Sequence, residues 1–325
     1  RALEGSGGED AGLCRYRGGD AYYAYIVRGQ SNSDETVDDS ITSVDSEISG
    51  IASGMQTIIN GGQDWVDEYL SHSYSKGTFQ ENLDYLYGEI KTDFPEIPEH
   101  KYSLMDVPEA LEENFSPAAY IAYHVDDFDS NRIIVNNSNA DSDIGVTLGH
   151  EGYPGHMYQS IYTRSHTSHP YMYICDSIGY AEGWATYCEC YVMKYFGEGG
   201  SEDVQQLLKL EDAMNTVYGT RIDFGIHWEG WSLQDCVDYY NDNFSSFYGE
   251  MTADQLQDIY TLVLTDPCYY VKYGMGYINT CEIIKEEQEK YPDASDMEIH
   301  TAYLNALSGT YSQIQAHMDA ELAGN

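Results

Sequence analysis

The sequence predicts a mostly α-helical protein with a small β-sheet ahead of its central helices. Apolar residues recur every three or four positions over most of the second half of the chain, the spacing of amphipathic helices. β-Branched and alternating residues concentrate in two short stretches, KYSLMDV (101–107) and RIIVNN (132–137). With 325 residues, the chain is long enough for one large domain or two smaller ones.

The elements follow from local composition. Residues 1–35 are rich in Gly, Ser and Asp, so we expect them to be irregular apart from the short stretch AYYAYIVRG. Helices are predicted over 36–59, 63–72 and 79–92, and Pro95 and Pro98 end this helical region. After the two strands, helices are predicted over 143–159, 171–197, 202–219, 232–247, 252–264, 271–290 and 296–319. We divide the chain into a helical segment, 1–98, and a second unit, 99–325.

Charge excludes several classes of partner. The chain carries 55 acidic and 15 basic residues, a net charge of -40. Such a surface repels the phosphates of nucleic acids and of anionic membranes. No stretch is apolar enough to insert into a bilayer, and no signal peptide is evident. We expect a soluble portion of a longer protein, extracytoplasmic or at the cell surface, with a cytoplasmic location left open.

Cysteine usage does not settle the redox compartment. The chain has seven cysteines, an odd number spread over a long sequence, unlike the framework of a small disulfide-rich protein. We expect mostly buried free thiols, and a bridge between Cys268 and Cys281 is left open.

The segment HEGYPGH (150–156) is a candidate metal site with unusual spacing. Zinc proteases place two histidines one helical turn apart, as H-E-x-x-H. His150 and His156 are two residues further apart, about 120° out of register on a regular helix. Pro154 and Gly155 between them can distort a helix, for example through a local widening. The histidines can therefore share a metal only if the helix is irregular here.

A third ligand is available from GYAEGWATYCECY (179–191). Glu182 and Glu189 lie two turns apart on one face of the predicted helix, so one can bind the metal while the other orients a ligand imidazole. Glu151 is placed to accept a proton from water activated by the metal. On the residues alone, a set of solvated polar side chains without metal remains an alternative.

These segments carry a family resemblance. HEGYPGHM and EGWATYCE resemble the H-E-x-x-P-G-H-H and E-G-W-A-x-Y-x-E motifs of a bacterial domain-of-unknown-function family of proposed zinc metallopeptidases. The resemblance implies a gluzincin-like helical domain over 99–325, with Zn²⁺ held by His150, His156 and Glu182 and with Glu151 as the base. Met157 stands where the family has a further histidine. Family members extend further at the N-terminus, so 1–98 resembles the remnant of a longer region and the missing portion is a possible partner.

Two later segments extend the resemblance. DFGIHWEGW (223–231) and PCYYVKYGMG (267–276) are similar to family segments, which implies that His227 and Tyr273 stabilise the oxyanion. In PCYYVKYGMG, Cys268 and Tyr269 replace the family's usual Gly-Gln. Supporting or substrate-contacting roles are expected for four further residues, Glu189, Asp223, Arg221 and Asn136. For Asn136 the expectation is that RIIVNN pairs with an extended substrate as a sheet edge; a plain core strand is the alternative.

The function expected from these observations is a zinc-dependent hydrolase that cleaves peptide bonds by Glu-assisted attack of water. One alternative is a zinc amidohydrolase or esterase acting on other substrates. Another is a non-catalytic surface or binding domain that keeps the fold. The sequence does not predict the peptide sequence cleaved, or whether cleavage is internal or terminal.

Overall fold

The computed structural model describes residues 12–62, 64–121, 127, 129–140, 143–173, 177–197 and 200–324. Within them the protein is mostly helical with one three-stranded sheet, which confirms the predicted fold class. The helices before the sheet are α1 (Gly19–Ser31), α2 (Val37–Asn60), α3 (Val66–Ser71) and α4 (Phe79–Glu89). The strands are β1 (Tyr102–Asp106), β2 (Ala118–Ile121) and β3 (Asn131–Val135). The later helices are α5 (Ile144–Glu151), α6 (His156–His166), α7 (Ile178–Val192), α8 (Glu202–Phe224), α9 (Leu233–Tyr248), α10 (Ala253–Thr265), α11 (Val271–Lys290), α12 (Asp296–Asn305) and α13 (Tyr311–Leu322).

Several helices begin at a reciprocal cap that is visible in the sequence. The Thr36 hydroxyl accepts a hydrogen bond from the Asp39 backbone N–H, and the Asp39 carboxylate accepts one from the Thr36 N–H. The same exchange joins Thr78 to Glu81 at the start of α4. Each exchange satisfies two N–H groups that have no partner within the helix, so the chain defines these helix starts locally.

Three stretches differ from the prediction. The ordered stretch predicted over 21–29 is a helix, α1, that extends to residues 19–31, because Tyr23 and Val27 lie one turn apart and are both buried. The predicted helix over 143–159 is two helices, α5 and α6. The predicted helix over 296–319 is likewise divided, into α12 and α13, and Leu307 between them has a left-handed φ of 61° that a helix does not allow.

The sheet has the order β1-β3-β2. β3 pairs in parallel with β1 and antiparallel with β2. β3 is therefore the central strand, and its backbone groups are used on both sides. The expectation that RIIVNN forms a sheet edge for a substrate is wrong. RIIVNN is a core strand, which is the alternative prediction, and the edge strands are β1 and β2.

The core joins early and late parts of the chain. Tyr23 of α1 and Val44 of α2 are fully buried in one cluster with Val217 of α8 and Met275 of α11. A second cluster surrounds α7, whose Trp184 is fully buried. Helices from 1–98 thus pack directly on helices from 99–325. The functional division of the chain at residue 98 stays a prediction.

The six cysteines among the described residues are free thiols, and three of them, Cys188, Cys236 and Cys268, are buried. The bridge left open between Cys268 and Cys281 is therefore not formed, and Cys175 lies outside the described residues.

Of the helices in the described ranges, none combines the length and the apolar character needed to cross a membrane.

Candidate metal centre

His150 and His156 lie at the ends of two helices rather than on one distorted helix. α5 ends at Glu151, α6 begins at His156, and the link contains a cis bond between Tyr153 and Pro154. The expectation of a widened continuous helix is wrong in this respect. A β-carbon on Gly155 would come within 1.8 Å of the His150 carbonyl oxygen, so the link closes tightly onto the end of α5. The break reorients α6 and removes the angular mismatch of a regular helix.

The break brings three donor side chains together. One donor atom from each of His150, His156 and Glu182 lies within 4.8 Å of the others. The Glu182 Oε2 atom is 3.1 Å from His156 Nε2 and 3.6 Å from His150 Nε2. Ligands about 2.0–2.1 Å from a tetrahedral zinc ion are about 3.3 Å from each other. Two nitrogens and one carboxylate oxygen at these separations fit zinc and leave a fourth position for water or substrate.

α7 places Glu182 against this break. The indole N–H of Trp184, two residues further on, donates to the Pro154 carbonyl at 2.8 Å and ties α7 to the link. Glu182 is 8% exposed. Burial tends to raise the pKa of this carboxyl group, but hydrogen bonds to His150 and His156 outweigh burial and hold the pKa well below its usual value. Glu182 is therefore ionised, as a metal ligand must be.

Glu189 lies behind His150, as the sequence predicts for one of the two glutamates of α7. Its Oε2 atom is 3.1 Å from His150 Nδ1. When Nε2 gives up its own proton to bind a metal, this carboxylate keeps the proton on Nδ1, which is the tautomer that binds metal through Nε2. Burial lowers the pKa of His150, but hydrogen bonds with Glu182 and Glu189 and the charge of Glu151 raise it well above its usual value overall.

Glu151 and Tyr273 lie next to the donor set. The Glu151 Oε2 atom accepts the backbone N–H of Tyr120, in edge strand β2, at 2.7 Å. Burial raises the pKa of Tyr273, and the charges of Glu182 and Glu151 raise it further. The Tyr273 hydroxyl thus stays protonated and can donate a hydrogen bond close to both carboxylates. The structure places Glu151 and Tyr273, predicted as the base and as one of the two oxyanion donors, beside the three candidate ligands.

His227 is not brought to this group by any contact among the described residues. It is buried, and its Nδ1 atom accepts the Leu13 backbone N–H at 3.1 Å. Its Nε2 atom then carries the proton and donates to the Val263 carbonyl at 2.9 Å. Both ring nitrogens are occupied by backbone groups, so neither is available to a developing oxyanion in this arrangement.

Arg221 and Asp223 belong to the same surroundings as His227. Arg221 pairs with Asp45 and Glu229, each at 2.7 Å. Asp223 accepts the Tyr23 hydroxyl at 2.6 Å and the Cys268 N–H at 3.1 Å. Cys268 has a left-handed φ of 69°, a conformation favoured by glycine, which is the residue that the resembled motif has here.

Asn136 lies at the end of β3, away from the donor set by its contacts. Its side-chain N–H groups donate to the carbonyls of Glu112 and Phe115 at 2.8 and 2.9 Å. These bonds hold the segment that leads into β2, and the side chain has no described contact with the metal ligands. Met157, at the position of the family's additional histidine, is fully buried in the core, so this departure removes none of the three donors.

Two contacts of the site were missed by sequence reasoning. One is the bond from the Tyr120 N–H to Glu151; a backbone group leaves no signature in a sequence. The other is the bond from Trp184 to the Pro154 carbonyl. The E-G-W motif showed a tryptophan beside Glu182, and its buried indole N–H required a partner, but the pattern did not identify which one.

The fold and the site together define a mostly helical protein with a His-His-Glu donor set that fits a metal ion. The chain belongs to the family of bacterial proteins of unknown function DUF885, which matches residues 4–309. No curated protein matches the chain.

Two solved structures share the fold. One is described as a "putative lipoprotein" from Colwellia psychrerythraea, with a TM-score of 0.78 and 16% identity. The other is a "putative lipoprotein of unknown function" from Shewanella oneidensis, with a TM-score of 0.71 and 16% identity. Each alignment covers 98% of this chain, which spans 57% of the first protein and 61% of the second.

Proposed function

We propose that this chain is the zinc-binding part of a hydrolase that cleaves amide bonds, with peptides as substrates. The observation that carries the proposal is the convergence of His150, His156 and Glu182 within 4.8 Å, although their sequence spacing does not suit a regular helix. Glu189 behind His150 supports it, because ligand histidines commonly donate their second N–H to a carboxylate. The donor types, two histidines and a downstream glutamate, match a gluzincin-like site.

A bound zinc ion would lower the pKa of a water molecule and polarise a substrate carbonyl. Glu151, next in sequence to a ligand, would accept the proton of that water and deliver it to the leaving amine. Its bond to the Tyr120 N–H fixes the carboxylate beside edge strand β2. Tyr273 would donate its hydroxyl hydrogen to the oxygen that becomes negative in the transition state.

Peptide cleavage is favoured over other hydrolysis by the motif resemblance, since the chemistry at an amide or ester is the same. A non-catalytic surface domain is the other candidate. Against it, a hydrogen bond from the Tyr120 N–H holds Glu151 beside the donor set, where a purely structural site has no use for a base. The lipoprotein descriptions of the two solved structures support a location outside the cytoplasm or at the cell surface. Those proteins are longer than this chain, and we propose that a further portion of the protein contributes to the cleft.

The first test is metal content by elemental mass spectrometry. We expect about one zinc per chain in the wild type and in Glu151→Gln, and none in His156→Ala, after equal exposure to zinc. A peptide library should then be cleaved by the wild type only, because Glu151→Gln keeps the metal and loses the base. Zinc-free wild type would overturn the proposal. Zinc binding without cleavage of peptides, other amides or esters would favour the binding-domain alternative.

A further inference from the structure

A cavity of about 720 Å³ is lined in part by α7 and α11, the helices that carry Glu182 and Tyr273. It is bounded by the C-terminal half of α1 and by the first residues of α7 and α11. Ile178 on its wall is four residues before Glu182, one helical turn along α7. Lys272 on the opposite wall immediately precedes Tyr273. The cavity therefore lies one helical turn from Glu182 along α7 and next in sequence to Tyr273 on α11.

The charge of this cavity is opposite to that of the chain. The chain has a net charge of -40, yet none of the described residues that line the cavity is acidic, and two, Arg28 and Lys272, are basic. Arg28 is already paired with Asp34 at 2.6 Å. Lys272 forms no ion pair among the described residues, and its Nζ atom lies over the rings of Tyr269 and Tyr273 at 5.2 and 5.1 Å. The ammonium group is thus available to an anionic ligand.

The distance from Lys272 to the metal ligands suits a short peptide. The Tyr273 ring lies between Nζ and the Glu182 carboxylate, with which its hydroxyl interacts. The ring and one long hydrogen bond place Nζ within about 12 Å of that carboxylate. An extended chain advances about 3.3–3.6 Å per residue, so at most about three residues fit between a metal-bound carbonyl and this ammonium group.

No acidic group that could bind the amino terminus of a substrate is among the described residues that line the cavity of Lys272. Acidic residues Asp143, Glu211 and Asp212 line a separate cavity together with Glu189. Glu189 contacts His150 Nδ1, the nitrogen directed away from the metal ligands, so this acidic cavity lies behind the imidazole. The charged group that can reach a peptide bound beside Tyr273 is the Lys272 ammonium group.

We propose that the substrates are peptides with a free C-terminal carboxylate, which Lys272 holds so that cleavage occurs within about three residues of that end. The inference rests on the proposed hydrolase function and specifies its substrate class. The ammonium and carboxylate groups form a charge-assisted hydrogen bond inside the cavity. An amidated terminus offers no charge, and its N–H groups face a donor.

The test compares N-acetyl-tetraalanine as free acid and as C-terminal amide. The zinc-loaded wild type should cleave the acid with a kcat/KM about 10- to 100-fold higher, through KM. Lys272→Ala should lose this preference and Lys272→Arg should retain most of it. Lys285→Ala is the matched control, because it removes the same charge from an exposed position of α11 outside the cavity.

Binding gives a second measurement that needs no catalysis. Calorimetry with metal-free protein should show N-acetyl-dialanine binding more tightly as the acid than as the amide, with the difference abolished in Lys272→Ala alone. The inference would be overturned if the wild type cleaved and bound the acid and the amide equally well, or if Lys272→Ala kept the full preference for the acid. If zinc is bound but neither peptide is cleaved, the hydrolase proposal fails, and the binding comparison still decides whether Lys272 recognises a carboxylate.

Discussion

Two regions of the molecule gather ionisable side chains, and they use them differently. At the candidate metal centre, His150, His156 and Glu182 point their donor atoms at one another, and their described hydrogen bonds are to side chains. In the cluster on α8 and after it, His227 is bonded to backbone on both nitrogens and Arg221 is paired with two carboxylates. Sequence motifs assigned functional roles to both regions. The hydrogen-bond partners distinguish the two regions. Side chains whose donor atoms face one another can bind a ligand, whereas side chains bonded to backbone groups and ion-pair partners hold helices together.

Asp223 is the carboxylate of the second region that has a buried oxygen without a partner among the described residues. Its Oδ2 atom has no hydrogen-bond partner, and burial raises its pKa to about 7 despite the bond from Tyr23. The folded state therefore keeps this proton up to a higher pH than the unfolded state. Stability should fall as pH rises from about 4 to about 7, by about 4 kcal/mol from this residue. Asp223→Asn should remove that decline, because an amide does not titrate. The amide oxygen can still accept the hydrogen bonds from Tyr23 and Cys268.

Urea unfolding of wild type and Asp223→Asn from pH 4 to pH 8 measures the effect. The two curves should diverge in favour of the variant as pH rises. Asp235→Asn is the control: hydrogen bonds from Ser232 lower the pKa of Asp235, so its contribution is lost as pH falls. Parallel curves for wild type and Asp223→Asn would show that Asp223 is ionised at little cost and that the cluster is more polar than its burial indicates.

Sequence reasoning predicted most of the fold and the three donor side chains that the structure brings together. Helical periodicity located α2, α8 and α11 because each buries one face, and the E-G-W motif supplied Glu182. It expected order over 21–29 but did not predict that this stretch is a helix or that it extends to residues 19–31, and it kept one helix through residues 152–155. The break depends on Gly155 closing onto the His150 carbonyl, a contact between backbone atoms. Periodicity describes side chains, so it could not show where the backbone turns or that the Tyr120 N–H meets Glu151.

Tyr273 and His227 test the contrast directly, since the sequence proposed both as oxyanion donors. Tyr273→Phe should lower kcat about 10²–10³-fold with zinc content and stability little changed, as for loss of one transition-state donor. His227→Ala should instead reduce stability by about 2–4 kcal/mol, because it leaves two backbone groups without their partner and opens a cavity. Its kcat per folded, zinc-loaded molecule should stay within about twofold of the wild type.

Steady-state kinetics and thermal unfolding on the same preparations separate the two residues. The contrast breaks if His227→Ala loses kcat as strongly as Tyr273→Phe at equal zinc content. The ring would then leave its backbone partners when substrate binds, and the second region would be part of the cleft.

Glu189 contacts the candidate ligand His150 but is not itself one of the three donors, so it shows how far the candidate metal centre extends. Glu189→Gln should weaken zinc binding about 10–100-fold, measured by competition with a chelator, because the amide holds the His150 tautomer less strongly than the carboxylate. Glu211→Gln is the matched control: Glu211 lines the same acidic cavity, but its oxygens accept the Tyr69 hydroxyl. If both variants weaken zinc equally, the general negative charge of the cavity attracts the ion. A loss confined to Glu189→Gln would mean that one hydrogen bond, 3.1 Å long, extends the metal centre into the helix behind it.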